Sequence, residues 1–235
     1  ETPGGFRGLL AKDVVGRGYK ALKFDPFGAA YQITDNDDEA LAIDIIAAVR
    51  DAVGPSVDVL VEGHCRFSTA TALKFARKME PYNPTWFEEP TPHHKVDALI
   101  EVARSSPVPI ATGEAESHYK DFEHLLVDGQ IDWVQPDPGR CGLSTMVEVG
   151  RLAHRLHRKV VNHSFKSGIT IAASLHGLAA VPHGEVFEYC MADSPLRHDL
   201  TLEKFKVIDG YVQVPEGPGL GVTIDEEVIA KYLVT

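Results

Sequence analysis

Glu62, Glu88 and Glu114 recur at intervals of 26 residues, and each closes a short apolar run. Asp137, His163 and Glu188 continue the series, at gaps of 23, 26 and 25 residues. Three carboxylates on a rigid frame suit a hard divalent cation, and Mg²⁺ is favoured where protein ligands are few and water or substrate completes the shell. An aspartate facing a histidine from a neighbouring strand orients the imidazole and raises its basicity, which a general base needs. Glu188 is then placed to hydrogen-bond a substrate carboxylate oxygen as charge builds up there. Two further pairs stand at i, i+2 spacing, which puts side chains on one strand face: Glu62 with His64, and Lys23 with Asp25. Lys23 and Asp25 are candidates for an acid, a base or a substrate-charge partner opposite His163. Taken one at a time, these residues have plainer readings, as solvated loop glutamates, a structural histidine or ion-pair members. Their common phase along the chain is what favours chemistry, since unpaired carboxylates at buried strand ends are costly.

The elements that must carry them follow from the apolar pattern. Short apolar runs occur at 19–25, 57–62, 85–88, 109–111, 131–135, 159–163 and 185–188. Between them lie stretches of helical period. Residues 38–53 place Leu41, Ile45, Ile46 and Val49 on one face. Residues 71–79 place Leu73, Phe75, Ala76 and Met79 inward behind Ser68 as N-cap. Residues 118–127 and 143–156 behave alike, and Gly142 and Gly168 punctuate turns. Alternating strands and helices imply a parallel sheet, and a beat this even implies a closed ring with its chemistry at the C-terminal strand ends. The expectation is an α/β fold, a TIM-like (β/α)7β barrel. Seven strands are visible where such barrels have about eight, and a helix-like stretch at 6–16 precedes the first. Residues 1–190 would form the barrel. Residues 191–235, with one or two strands within 200–214, a turn at 216–221 and a short helix near 225–232, would pack on it or join a capping domain.

Composition narrows the function classes. With 44% hydrophobic residues the chain can build a core, which excludes a disordered protein. Asp plus Glu outnumber Lys plus Arg by 34 to 23, a net charge of −11 that argues against a nucleic-acid partner. No run approaches the ~20 apolar residues of a membrane span, and the first residues lack the pattern of a signal peptide. Cys65, Cys141 and Cys190 are too few and scattered for a disulfide framework, so a cytoplasmic setting is expected. His93 and His94 in a loop, His154 and His157 on a basic helix face, and a glycosylation-like triplet at Asn162 are weaker signals.

The stretches at Lys23–Asp25, Val61–His64, Trp86–Pro90, Ala111–Glu114, Gln135–Asp137, Val161–His163 and Phe187–Tyr189 resemble, in order, the enolase superfamily in its mandelate-racemase-like branch. The resemblance implies that Glu62, Glu88 and Glu114 are Mg²⁺ ligands, that Asp137 and His163 form the base, and that Glu188 hydrogen-bonds the enolate. Where racemases of the branch carry Lys-x-Lys, this chain has Lys23 and Asp25, and its third strand ends in Glu62-x-His64, as in sugar-acid dehydratases. That favours dehydration of an aldonate or aldarate to a 2-keto-3-deoxy acid, with His64 helping to expel the β-hydroxyl. Racemisation, epimerisation or cycloisomerisation is the alternative, and a non-catalytic metal- or partner-binding barrel is another. The expected partners are a small-molecule carboxylate substrate and further copies of the chain in a homo-oligomer. By the same resemblance, a first barrel strand and an N-terminal α+β capping domain are expected outside this sequence.

Overall fold

The computed structural model describes residues 3–233. They form, in order, α1 (Pro3–Gly16), β1 (Ala21–Phe24), α2 (Asn36–Val53), β2 (Asp58–Glu62), α3 (Thr69–Met79), a 3₁₀ turn (Glu80–Tyr82), β3 (Trp86–Glu88), α4 (Val96–Ser105), β4 (Ile110–Thr112) and α5 (Tyr119–Val127). There follow β5 (Trp133–Val134), α6 (Pro138–Cys141), α7 (Leu143–Arg155), β6 (Lys159–Val160), α8 (Gly168–Ala179), α9 (Pro195–His198), β7 (Val207–Ile208), β8 (Tyr211–Val212) and α10 (Glu226–Tyr232). This is the expected α/β alternation. Hydrogen bonding joins β1 to β6 in chain order, and β7 pairs with β8 as a separate antiparallel ribbon. The run at 185–188 contributes a single parallel bridge, Val161 with Val186, rather than a strand.

Two compact units divide the chain, and the division runs through β5. The first comprises residues through Thr112 with Val127–Trp133. Its strands are parallel and in register, Lys23 beside Leu60, Glu62 beside Glu88, and Glu88 beside Ala111. β3 and β4 are wholly buried and β2 nearly so, hence their unbroken apolar character. Asp35 caps α2 by accepting from the Asp38 N–H at 2.8 Å, and Ser68 caps α3 by accepting from Thr71 at 3.2 Å. Thr71, Ala72, Phe75, Ala76 and Met79 form the buried stripe of α3. α1 lies close against α2, because a Cβ at Gly8 would stand 3.0 Å from the Ala48 carbonyl. Above the strand ends Phe27, Phe67 and Phe75 pack edge to face or tilted, with centroids 4.7–5.1 Å apart.

The second unit comprises Gly113–Leu126 with the residues from Val134 on. Its core gathers Phe122, Leu126, Val134, Met146, Val149, Leu152, Val160, Leu178 and Val181, drawn from α5, α7, α8 and the turn after it, β5 and β6. Val161 donates to the Val134 carbonyl at 3.1 Å and so continues β6 alongside β5.

Two expectations need correction. Leu41 is 43% exposed, so the buried stripe of α2 is Ala42, Ile45, Ile46 and Val49. Leu73 is only half-buried. Gly168 stands where the turn after β6 gives way to α8, behind Ser167 as its cap.

Candidate functional site

In the first unit the register of β2 on β3 sets Glu62 directly beside Glu88, at the last residue of each strand. Their carboxylate oxygens come within 4.8 Å of one another, and both side chains are buried. The Lys23 ammonium, reaching across from β1, contacts Glu88 Oε1 and stands 3.3 Å from Glu62 Oε2. Trp86 Nε1 donates to Glu88 Oε2 at 2.7 Å, and the His64 backbone N–H donates to Glu62 Oε1, also at 2.7 Å. Burial and the neighbouring Glu88 charge push the Glu62 carboxyl well above the usual range. Burial works the same way on Glu88, but Lys23 together with hydrogen bonds from Glu62 and Trp86 holds it below. Two buried carboxylates served by one ammonium are a donor set that fits a hard dication.

The chain turns sharply beyond these strands. β2 ends at Glu62, and His64 and Cys65 adopt left-handed φ of 48° and 57°. His64 therefore does not share a strand face with Glu62 by alternation, as its spacing predicts; the imidazole is carried by the turn. Its Nδ1 lies 2.7 Å from Asp25 Oδ2, and Arg66 joins the same carboxylate oxygen. Lys23 and Asp25 accordingly part company: Lys23 serves the glutamates, Asp25 the histidine. Gly63 is required at this corner, because a Cβ there would stand 2.9 Å from the Glu88 carbonyl and 3.0 Å from the Phe87 ring. Glu89, next to Glu88, turns away to accept from the Thr112 hydroxyl at 2.7 Å.

In the second unit Asp137 caps α6, its Oδ1 accepting from Gly139 N–H at 2.7 Å. Asp137 Oδ2 lies 3.0 Å from His163 Nδ1 and accepts from the Lys166 ammonium at 2.6 Å. His163 Nε2 faces Glu114 Oε2 at 3.5 Å, and its ring stacks on Phe165 at 5.6 Å. Burial alone would lower the pKa of His163, but the bond to Asp137 and the charges of Glu114 and Glu188 raise it above the ordinary histidine value. Asp137 is lowered despite burial, by His163, Lys166 and Gly139. Glu188 is held on the bridged segment, where the Asn162 amide clamps its backbone in both directions (2.8 and 3.2 Å). Its Oε2 accepts from the Ser164 N–H at 2.9 Å.

Within single units the structure thus brings together Glu62, Glu88 and Lys23; His64 and Asp25; and Asp137, His163, Glu114 and Glu188. Sequence reasoning passed over Arg66 and Lys166, which stand just beyond the motif positions His64 and His163. Trp86 and Asn162 lie inside the motif stretches, but their bonds to Glu88 and Glu188 were not foreseen.

The family model for enolase C-terminal domain-like proteins matches residues 8–228. The D-gluconate dehydratase of Thermoproteus tenax is 35% identical over 224 residues, which are 94% of this chain and 45% of that protein. The D-xylonate dehydratase of Haloferax volcanii is 31% identical over 227 residues, 92% and 55% of the two chains. The chain therefore spans about half the length of these curated relatives. Among solved structures, a mandelate racemase/muconate lactonizing enzyme from Jannaschia sp. superposes with a TM-score of 0.92 at 31% identity, covering all of this chain and 61% of that one. A member of the enolase superfamily from Salmonella Typhimurium gives 0.92 at 27% identity, over 98% and 62%. The two aspartate-held imidazoles and the paired buried glutamates thus lie in a chain that belongs to the enolase C-terminal domain-like family, within the enolase superfamily.

Proposed function

We propose that the protein containing this chain is a Mg²⁺-dependent dehydratase of a sugar acid, an aldonate or aldarate. The observation that carries the reading is that two histidines are each tied at Nδ1 by an aspartate, His163 by Asp137 at 3.0 Å and His64 by Asp25 at 2.7 Å. With each Nδ1–H held by its aspartate, Nε2 is left free for transfer: it must be unprotonated on His163 to take a proton, and protonated on His64, as the imidazolium, to give one. A β-elimination of water from an acid needs two such groups, a base for the α-proton and an acid for the departing hydroxyl. Relatives named for D-gluconate, D-xylonate and D-galactonate dehydration support the substrate class.

Glu62, Glu88 and Glu114 would hold the Mg²⁺, which when bound neutralises the charge that grows on the substrate carboxylate. His163 Nε2 takes the α-proton. Glu188 stabilises the developing enediolate from its clamped position. His64 Nε2 delivers a proton to the β-hydroxyl, which leaves as water, and the resulting enol becomes the 2-keto-3-deoxy acid. Asp25 stands where racemases of the branch carry their second lysine and is held by His64 and Arg66, so it does not supply the second base that racemisation at the α-carbon requires.

The test is a screen of the full-length protein against a library of acid sugars with Mg²⁺, scored for keto-acid formation. The substrate found is then incubated in D₂O with His163→Asn. Loss of α-proton exchange in that variant is expected, and retained exchange would remove His163 as the base.

A further inference from the structure

We infer that Arg66 is a positioning residue for His64, stapling two strand-end turns together so that the imidazole faces the leaving group; the inference rests on the dehydratase reading. The His64 side chain is 61% exposed, whereas Asp25 and Arg66 beside it are 23% and 13% exposed. Packing therefore does little to fix the ring, and its attachment has to come from polar contacts. The guanidinium supplies them from beneath. Nε donates to the Gly63 carbonyl at 3.0 Å, Nη1 to the Gly28 carbonyl at 2.8 Å, and Nη2 to Asp25 Oδ2. One planar fork thus joins the turn after β1 to the turn after β2 and pins the carboxylate that holds His64 Nδ1. Asp25 Oδ1 accepts from the Phe27 N–H at 2.9 Å, which completes the carboxylate's orientation.

The backbone shows why a staple is needed. His64 and Cys65 are consecutive non-glycine residues with positive φ, a conformation that persists only where surrounding contacts over-determine it. Here the contacts are the His64 N–H to Glu62 Oε1, the Cys65 N–H to the Glu89 carbonyl at 2.6 Å, and the Arg66 fork. The Arg66 carbonyl also accepts from the Gln32 N–H at 2.9 Å, tying in the chain further along from β1. Lysine at 66 can reach one of the three acceptors but cannot reproduce the fork.

Because His64 serves the leaving group and His163 the α-proton, the role of Arg66 separates from mere support of the fold. The experiment uses the full-length enzyme with its identified acid sugar in D₂O, following α-deuterium uptake into recovered substrate alongside keto-acid release. Arg66→Met is expected to slow keto-acid release about 100-fold, the usual cost of misplacing a reacting group by about 1 Å, while exchange and KM stay within about threefold. Arg66→Lys should fall between the two. In imidazole nitrogen NMR, the signature of the Nδ1–H hydrogen bond from His64 to Asp25 is expected in wild type and should weaken in Arg66→Met. Exchange and release falling together in both variants, or both unchanged, would overturn the positioning role. If the wild type neither exchanges nor releases keto acid with any acid sugar, the dehydratase reading fails and takes this inference with it.

Discussion

Trp86 has two partners: its ring packs on Trp133 with centroids 4.8 Å apart, and its indole N–H serves Glu88. Trp86→Phe keeps the ring contact and deletes the donor, leaving a buried carboxylate oxygen short of one bond. A loss of about 1–3 kcal/mol is expected, measurable by urea unfolding. Residue identities at the strand ends were legible in the sequence, because an ionisable group closing one apolar run after another is unusual. Their partners were not. That His64 would ride on a left-handed turn, and that Asp25 would attach to it, depends on backbone geometry beyond β1 and β2, which a two-residue alternation cannot represent. The same holds for Lys166, whose claim on Asp137 arises from a loop bend and not from any spacing.

Elements were read best where one face is wet. α2, α3, α5 and α7 announce themselves by period, and Ser68 caps α3 as its sequence suggests. Ser68→Ala should cost about 1 kcal/mol of stability, seen as a lowered denaturation midpoint with unchanged slope. α8 escapes notice because eight of its residues are buried and it has no continuous polar face to set a period. α4 is masked by prolines at 90, 92, 107 and 109 on either side, although Leu99, Ile100 and Val102 form a buried stripe. α2 and α3 are also joined by charge. Buried Glu39 accepts from Lys74, from Lys78 at 2.6 Å and from the Thr34 hydroxyl at 2.9 Å, and these hold its carboxyl down to about 2. A carboxylate depressed in the folded state adds stability above its unfolded value, and that stability is lost as pH falls from about 4.5 towards about 2. Glu39→Gln should therefore lower stability by about 1–2 kcal/mol at neutral pH, and the difference from wild type should vanish near pH 2 in unfolding curves run across that window.

At the scale of the molecule, the alternation of strands and helices and the superfamily were both visible before any coordinates, since seven motif stretches in one order leave little room for another fold. What stayed out of reach was local: the last barrel-type run forms only a bridge at Val186, because the Asn162 side chain takes over the hydrogen bonding of Glu188 that a ladder would otherwise use. The proposed metal site also has a consequence for the protein as a whole. Mg²⁺ at about 100 times its Kd should add about 2.7 kcal/mol to the folded state. A raised thermal midpoint is expected in wild type, and little or none in Glu88→Gln, which would disprove the glutamate assignment if it responded equally.

The phenylalanine knot of Phe27, Phe67 and Phe75 fastens the segments that follow β1 and β2 to α3. Segments of that kind normally trade hydrogen for deuterium within moments, yet amides anchored over interlocked rings open only when the surrounding layer does. The hydrogen-bonded amides of Phe27, His64, Cys65 and Phe67 should accordingly exchange on the slow timescale of framework, which makes these turns poor places to seek new specificity by randomisation and good places to hang it from.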